Sequence, residues 1–129
     1  MIVDVCEVVK AAIEAEGYRN VYVKRLDELT GKEGIVVRPS ALLTARRYSN
    51  RTWTTDYIVN VMCRYRSEHE AMQTCFGLRD LLDGAALARI NGSYRWTSTE
   101  VYTEPQEIAL DEADMYVWSV QLTVRIERG

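Results

Sequence analysis

The sequence predicts an α+β fold, in which two amphipathic helices pack on one face of a mostly antiparallel or mixed β-sheet that contains a long β-hairpin. Apolar residues recur at helical spacing in residues 2–16 and 67–82. They alternate with polar residues in 53–66 and 115–128, as in strands that have one core face. A tip rich in turn-forming residues, 49–52, separates two extended arms.

The first predicted helix covers residues 2–16, and Gly17 supplies the left-handed residue that ends it. Its valines lower the intrinsic helix propensity, so we expect the helix to need a sheet to pack on. Two short strands are predicted next, at residues 20–25 and 34–38, with a polar loop between them. Pro39 is expected to end the pairing of the second strand.

A long hairpin is predicted for residues 41–66, with a first arm at 41–48. In the second arm, alternate residues form the better core face: Tyr57, Val59, Val61, Cys63 and Tyr65. Ile58 and Met62 lie on the other face among polar residues, which indicates that this outer face is also covered.

The second helix is predicted to begin at a capping box formed by Ser67 and Glu70. Gly84 follows its end. Its apolar stripe, widened by Phe76, contains Ala71, Met72, Cys75, Leu78, Leu81 and Leu82.

The last third of the chain is predicted to form two strands joined by a long acidic loop. The first strand covers residues 94–103. One of its faces carries Tyr94, Trp96, Ser98, Glu100 and Tyr102. The loop spans residues 104–114, and the second strand spans 115–128.

Length and composition indicate one globular domain, residues 1–129. Hydrophobic residues make up 47% and charged residues 27%, close to the globular average. No apolar run approaches the roughly 20 residues that span a bilayer, and the start lacks the pattern of a secretory leader. We therefore expect no membrane association and a cytoplasmic location.

The residues offer no catalytic, metal-binding or cofactor-binding site. His69 lies beside two glutamates in the first turn of the second helix, as a solvated surface histidine does. The spacing of Cys63, His69 and Cys75 lacks the tight ligand pairs of zinc sites. The acidic loop does not fit a calcium-binding loop, and no phosphate-binding or nucleophile motif occurs.

Charge is distributed unevenly although the net charge is only −3. Residues 41–66 contain five arginines and one acidic residue, whereas residues 101–129 contain six acidic residues and two arginines. This is either scatter over a solvated surface or a pair of complementary patches. Arg46, Arg47 and Arg51, near Trp53, suit a nucleic-acid surface or a protein interface. The acidic balance of the whole chain favours the protein interface.

The order of elements resembles that of the tail terminator family of long-tailed bacteriophages and of related head–tail joining and minor capsid proteins. The similarity covers nearly the whole chain, and lies in its size and pattern rather than in a diagnostic motif. Its most recognisable parts are the alternating arm TDYIVNVMCRYRS and the capped helix SEHEAMQTCFGLRDLLDG.

The resemblance implies a structural virion protein without enzymatic activity or cofactor. Copies would form a ring, commonly a hexamer, that caps the tail tube, stops its polymerisation and offers a docking surface to the head. The implied partners are the chain itself, the tube protein, a head completion protein and DNA that passes through the lumen without sequence-specific binding. The protein would assemble in the bacterial host cytoplasm and remain in the virion.

A ring requires two different patches on each subunit. We therefore hypothesise that Arg46, Arg47 and Arg51 pair with the acidic loop of the next subunit, and that a neighbour buries Ile58 and Met62. Trp53 is a further candidate for this interface. The candidate acidic residues of that loop are Glu107, Asp111, Glu112 and Asp114. The alternative function is a small module that binds a ligand or regulates a partner.

Overall fold

The computed structural model describes residues 5–23, 32–47, 53–85, 95–110 and 115–128. The elements, in chain order, are α1 (Val5–Ala15), β1 (Val21–Tyr22), β2 (Gly34–Arg47), β3 (Trp53–Tyr65), α2 (Glu68–Leu82), β4 (Arg95–Leu110) and β5 (Tyr116–Arg128). The predicted turn at 49–52 lies outside the described residues.

The five strands form one open, mixed sheet in the order β1-β2-β3-β5-β4. β1 runs parallel to β2, and the other neighbouring pairs are antiparallel. This arrangement confirms the predicted α+β class. It also places β4 at one edge of the sheet and β2 close to the other, since β1 pairs with only Ile35 and Val36.

Both helices pack on the same face of the sheet and share one apolar core with it. The predicted alternation of β3 and β5 is confirmed, because Val61 and Cys63 pair with Val120 and Trp118 on the core side. The fully buried core side chains include Val9, Ile13, Ile35, Val37, Leu78, Leu82, Leu122 and Ile126.

The ends of α2 follow the predicted signals. Ser67 is the N-cap, and its hydroxyl accepts a hydrogen bond of 3.3 Å from the backbone N–H of Glu70. Gly84, with φ of +78°, follows the last turn. The prediction that Phe76 widens the buried stripe is wrong, because this side chain is 45% exposed. It lies one position from Cys75, off the spacing that faces the sheet.

The prediction that Pro39 ends a strand is also wrong. The segment predicted as strand 34–38 and the first hairpin arm form one continuous strand, β2, in which Pro39 pairs with Val59. β1 does not extend this far, so Pro39 lies in an edge position, and a register shift follows it immediately. Both are settings in which a strand accommodates proline.

Residues 104–110 belong to β4 rather than to an acidic loop. The run of acidic residues that predicted a loop is compatible with an exposed edge strand, and Pro105 falls in a register shift of that strand, where proline is accommodated. A further shift after Trp96 turns this residue to the core, where it pairs with Ile126, while Glu100 pairs with Thr123 on the opposite face. The predicted common face of this strand is therefore wrong.

Candidate assembly surface

The basic residues of the hairpin lie at one end of the long strands. Arg47 pairs with Trp53, which pairs in turn with Arg128 of β5. Arg46 precedes Arg47 in β2, and Arg51 lies outside the described residues. The register thus brings together, at one end of the sheet, several positions that carry arginine and tryptophan.

The candidate acidic residue Glu107 lies far from that end. It pairs with Trp118, which in turn pairs with Cys63 of β3. Trp53 and Cys63 are separated by about 33 Å along β3 at roughly 3.3 Å per residue. The fold therefore separates the basic and acidic segments within one subunit. The other candidate acidic residues lie outside the described residues: Asp111, Glu112 and Asp114.

Asp56 is the one acidic residue of the basic segment 41–66, and it forms an ion pair with Arg125 of the neighbouring strand. The guanidinium donates two hydrogen bonds to the carboxylate, 2.7 Å from Nε to Oδ1 and 3.0 Å from the terminal nitrogen to Oδ2. Such a bidentate pair fixes both side chains across β3 and β5. Asp56 is thus engaged with β5 within its own subunit.

Ile58 and Met62 are buried within the single chain, with exposed fractions of 5% and 9%. Met62 packs with Val36 and Val117, and Tyr22 contacts the same cluster on the outer face of the sheet. The expectation that this face is covered is confirmed, but the cover exists without a second subunit. These two residues offer little surface for a neighbour to bury.

The large apolar side chains that the described chain does expose lie on α2 and β4. Phe76, Tyr102 and Ile108 are 45%, 53% and 51% exposed. The Phe76 ring lies 6.1 Å from the ring of Trp118 in β5, measured between centroids. We call these three exposed apolar side chains the β4 flank. Among the exposed carboxylates of β4, Glu107 pairs with Trp118 on the face that carries the helices, whereas Glu100 pairs with Thr123 on the opposite face.

Sequence patterns do not predict the β4 flank. They place Ile108 in a loop, Phe76 in the core, and Tyr102 on the face of Trp96. The off-stripe position of Phe76 is the one available signal. The exposure of Tyr102 follows from register shifts that alternation does not reveal.

The backbone of β4 is capped by the end of α2. The N–H of Val101 donates to the Asp83 carboxylate at 3.1 Å, and the N–H of Gly84 donates to the carbonyl of Thr99 at 2.7 Å. Arg79 adds two hydrogen bonds to the Glu104 carboxylate, at 2.8 and 3.2 Å. The contacts of Asp83 and Gly84 occupy backbone edge groups that a further strand would need.

The titratable residues do not form a reactive site in the described part of the chain. His69 is exposed on α2, as expected. Burial raises the pKa of the Cys6 thiol to about 11, and the hydrogen bond with Cys75, together with burial, raises the pKa of Cys63 well above its ordinary value. Thiols held protonated in this way are poor nucleophiles. No cluster of potential metal ligands occurs among the described residues.

Two clefts open between the helices and the rest of the fold. The larger, about 470 Å³, lies between the end of α1 and the middle of α2 and is lined by Glu16, Gly17, Tyr18, Gly77, Asp80 and Leu81. The second, about 310 Å³, lies near the start of α1 and Pro39.

Comparison with known proteins assigns the fold to a family. Residues 20–128 match the model of the family described as bacteriophage tail terminator protein. The chain belongs to this tail terminator family. The match begins just before β1 and ends at the last residue of β5, so it includes all five strands and α2. Membership makes the chain a structural protein of a phage tail.

A solved structure has a similar fold. A chain in the structure titled "Virion of native gene transfer agent (GTA) particle" superposes with a TM-score of 0.61. The alignment covers 93% of this chain and 84% of that chain, at 18% sequence identity, which is a likeness of fold. No curated protein sequence matches the chain. Neither described helix has the length and apolar character of a membrane span.

Proposed function

We propose that this tail terminator assembles into a ring, a hexamer, that caps the tail tube and provides the surface on which the head docks. The family match over residues 20–128 carries the proposal. In this role the ring stops tube polymerisation, and its partners are further copies of the chain, the tube protein and a head completion protein. It assembles in the host cytoplasm and stays at the head–tail junction of the virion.

Ring closure by head-to-tail contacts joins two different surfaces of each subunit. The separation of the basic hairpin from the acidic segment supports this, because complementary patches at distant positions pair between copies rather than within one. We propose that Arg46, Arg47 and Arg51 contact the segment 104–114 of the next copy.

Charge reversal tests this contact. Arg47→Glu should reduce the native mass of the assembly, and Asp111→Arg in the same chain should partly restore it. The difference from the unaltered chain should be smaller at high than at low salt, since screening weakens both the lost attraction and the new repulsion. Unchanged assembly of Arg47→Glu at both salt concentrations would rule out the contact.

If DNA passes through the lumen of the ring, the side chains that line the lumen must not repel its phosphates. The hairpin tip, 49–52, suits a position near the lumen, because Arg51 attracts rather than repels DNA phosphates without reading sequence. An image of the ring with this tip on its outer rim would contradict the placement.

Native mass spectrometry and electron microscopy of the purified chain test the ring itself. A hexameric ring that shortens tubes when it is added to polymerising tube protein would support the proposal. A monomer or dimer at assembly concentrations, with no effect on tube length, would favour the ligand- or partner-binding module instead.

A further inference from the structure

The two helices differ in the charge at their carboxyl ends. The last turn of α2 carries Arg79, and a cation is what the negative end of a helix dipole favours. The last turn of α1 carries no basic residue, and Glu16 follows it directly. Lys10 pairs with Glu14 at 2.9 Å, which leaves Glu16 without an ion pair among the described residues. The end of α1 is therefore a place where a cation from outside the chain would be stabilised.

The cleft between the end of α1 and the middle of α2 adds a second carboxylate. Glu16 lines it on the side of α1, and Asp80 lines it on the side of α2. The Asp80 side chain is 76% exposed. Arg79 contacts one of its oxygens at 3.2 Å, but makes its shorter bond, 2.8 Å, to Glu104. Both carboxylates of the cleft are thus accessible to a ligand.

The remaining lining of this cleft is aromatic and apolar. Tyr18 and Leu81, both partly buried, lie there with Gly77. A Cβ at Gly77 would lie 2.9 Å from the Tyr18 hydroxyl, so the bare backbone of α2 allows this side chain to lie against the helix. At Gly17 no atom lies within 4 Å of the place that a Cβ would take, and the cleft is open there. Its volume, about 470 Å³, is sufficient for a large side chain.

A long side chain with an apolar stem and a cationic head matches this lining. The stem can pack on Leu81 and on the ring of Tyr18, while the head lies near the two carboxylates. A guanidinium fits better than an ammonium, because its planar fork donates to several oxygens and stacks on an aromatic ring. Exposed ion pairs are individually weak, so this contact is useful as one part of a larger protein interface.

We propose that this cleft is a docking site for an arginine side chain of a partner protein. None of the residues proposed for ring closure lines the cleft. The site is therefore separate from the contact between copies, and it can be tested whether or not the ring forms.

Binding of a blocked arginine tests the chemistry of the site. The full-length chain is labelled with ¹⁵N at its seven glycines, and N-acetyl-arginine amide is added. The resonances of Gly17 and Gly77 should shift saturably, whereas that of Gly34, outside the cleft, should not. The neutral analogue N-acetyl-citrulline amide should leave all three unchanged. Equal shifts with both compounds would overturn the inference.

Charge-neutralising variants test the two carboxylates. Glu16→Gln with Asp80→Asn should weaken arginine binding about fivefold, as expected for the loss of two exposed ion pairs. The matched control, Glu68→Gln with Glu100→Gln, removes the same charge from exposed positions outside the cleft and should leave binding unchanged. Equal affinity of the cleft variant and the control variant would contradict the proposal.

Thermal melting separates binding from a structural role of Glu16. Glu16→Gln alone should raise the melting temperature by a few degrees, because it removes an unfavourable charge from the end of α1. A lower melting temperature would mean that Glu16 supports the fold itself, and would overturn the inference.

Two further measurements identify the occupant. A blocked pentapeptide with arginine between alanines should bind more tightly than N-acetyl-arginine amide, since a protein segment adds contacts around the cleft; equal affinity would reduce the site to one for free cations. The native mass of the assembly should be the same for the cleft variant and the unaltered chain. A lower mass would assign the cleft to a second copy and overturn docking of a different protein. An unaltered chain that forms no ring would instead refute the proposed function and leave this site intact.

Discussion

Gly34 permits the close approach of the chain before β1 to the first residue of β2. Its φ is +154°, and a Cβ at this position would lie 2.3 Å from the carbonyl oxygen of Asn20 and 2.9 Å from Cε2 of Tyr22. The same carbonyl accepts a 2.9 Å hydrogen bond from the N–H of Ile35. Gly34→Ala therefore forces an unfavourable backbone conformation and displaces a hydrogen-bond acceptor at once.

The expected loss of unfolding free energy in Gly34→Ala is the sum of these two effects. A strained backbone costs about 1–3 kcal/mol, and a weakened backbone hydrogen bond about 1 kcal/mol. Gly34→Ala should thus lower the free energy of unfolding by about 2–4 kcal/mol. At about 3–5 °C per kcal/mol for a domain of this size, the melting temperature should fall by roughly 6–20 °C.

Gly17→Ala is the matched control, because Gly17 also has a positive φ, +98°, but no atom lies within 4 Å of the place that a Cβ would take there. It should cost about 1 kcal/mol from backbone strain alone. Urea unfolding of both variants, with ring assembly checked separately, gives the comparison. If Gly34→Ala is no more destabilising than Gly17→Ala, the close approach at Asn20 does not matter.

Three further changes test local contacts. Ser67→Ala should lower stability by about 1 kcal/mol in urea unfolding through loss of the α2 cap, and an unchanged midpoint would contradict the cap. Asp83→Ala should speed hydrogen exchange at the Val101 amide, whereas Asp80→Ala should not. Burial raises the pKa of Tyr65 from about 10 to about 12. The protonated phenol therefore contributes fully to folding stability below pH 10, and this contribution is lost as pH rises through 12. Tyr65→Phe should therefore reduce the alkaline loss of stability, and an identical pH profile would contradict it.

Local patterns predicted the elements whose signals lie in neighbouring residues. The cap at Ser67, the left-handed stop at Gly17 and the alternation of β3 depend on contacts a few residues apart or on a single buried face. The α+β class followed from these elements alone.

Strand boundaries at Pro39 and Pro105 required information that the sequence does not carry locally. Whether a proline ends a strand depends on whether its N–H would face another strand. That depends on the order β1-β2-β3-β5-β4, which is set by contacts between distant parts of the chain.

For the candidate assembly surface, the sequence indicates where charge lies but not which apolar side chains are exposed. Arginine and glutamate positions can be read from the chain, and the fold separates them. Ile58 and Met62 were expected to be buried by a neighbour, yet the subunit buries them itself. The exposure of Tyr102 arises from a register shift in β4, which alternation along one strand cannot reveal.

The capped edge of β4 has a mechanical consequence. An edge strand is ordinarily the first part of a sheet to fray, but here two hydrogen bonds fasten Thr99 and Val101 to the end of α2. Leu78 and Leu82 of that helix are fully buried against the sheet. A force applied to β4 therefore also acts on the central core. The strand and the last turn of α2 should unfold together as one cooperative unit rather than separately.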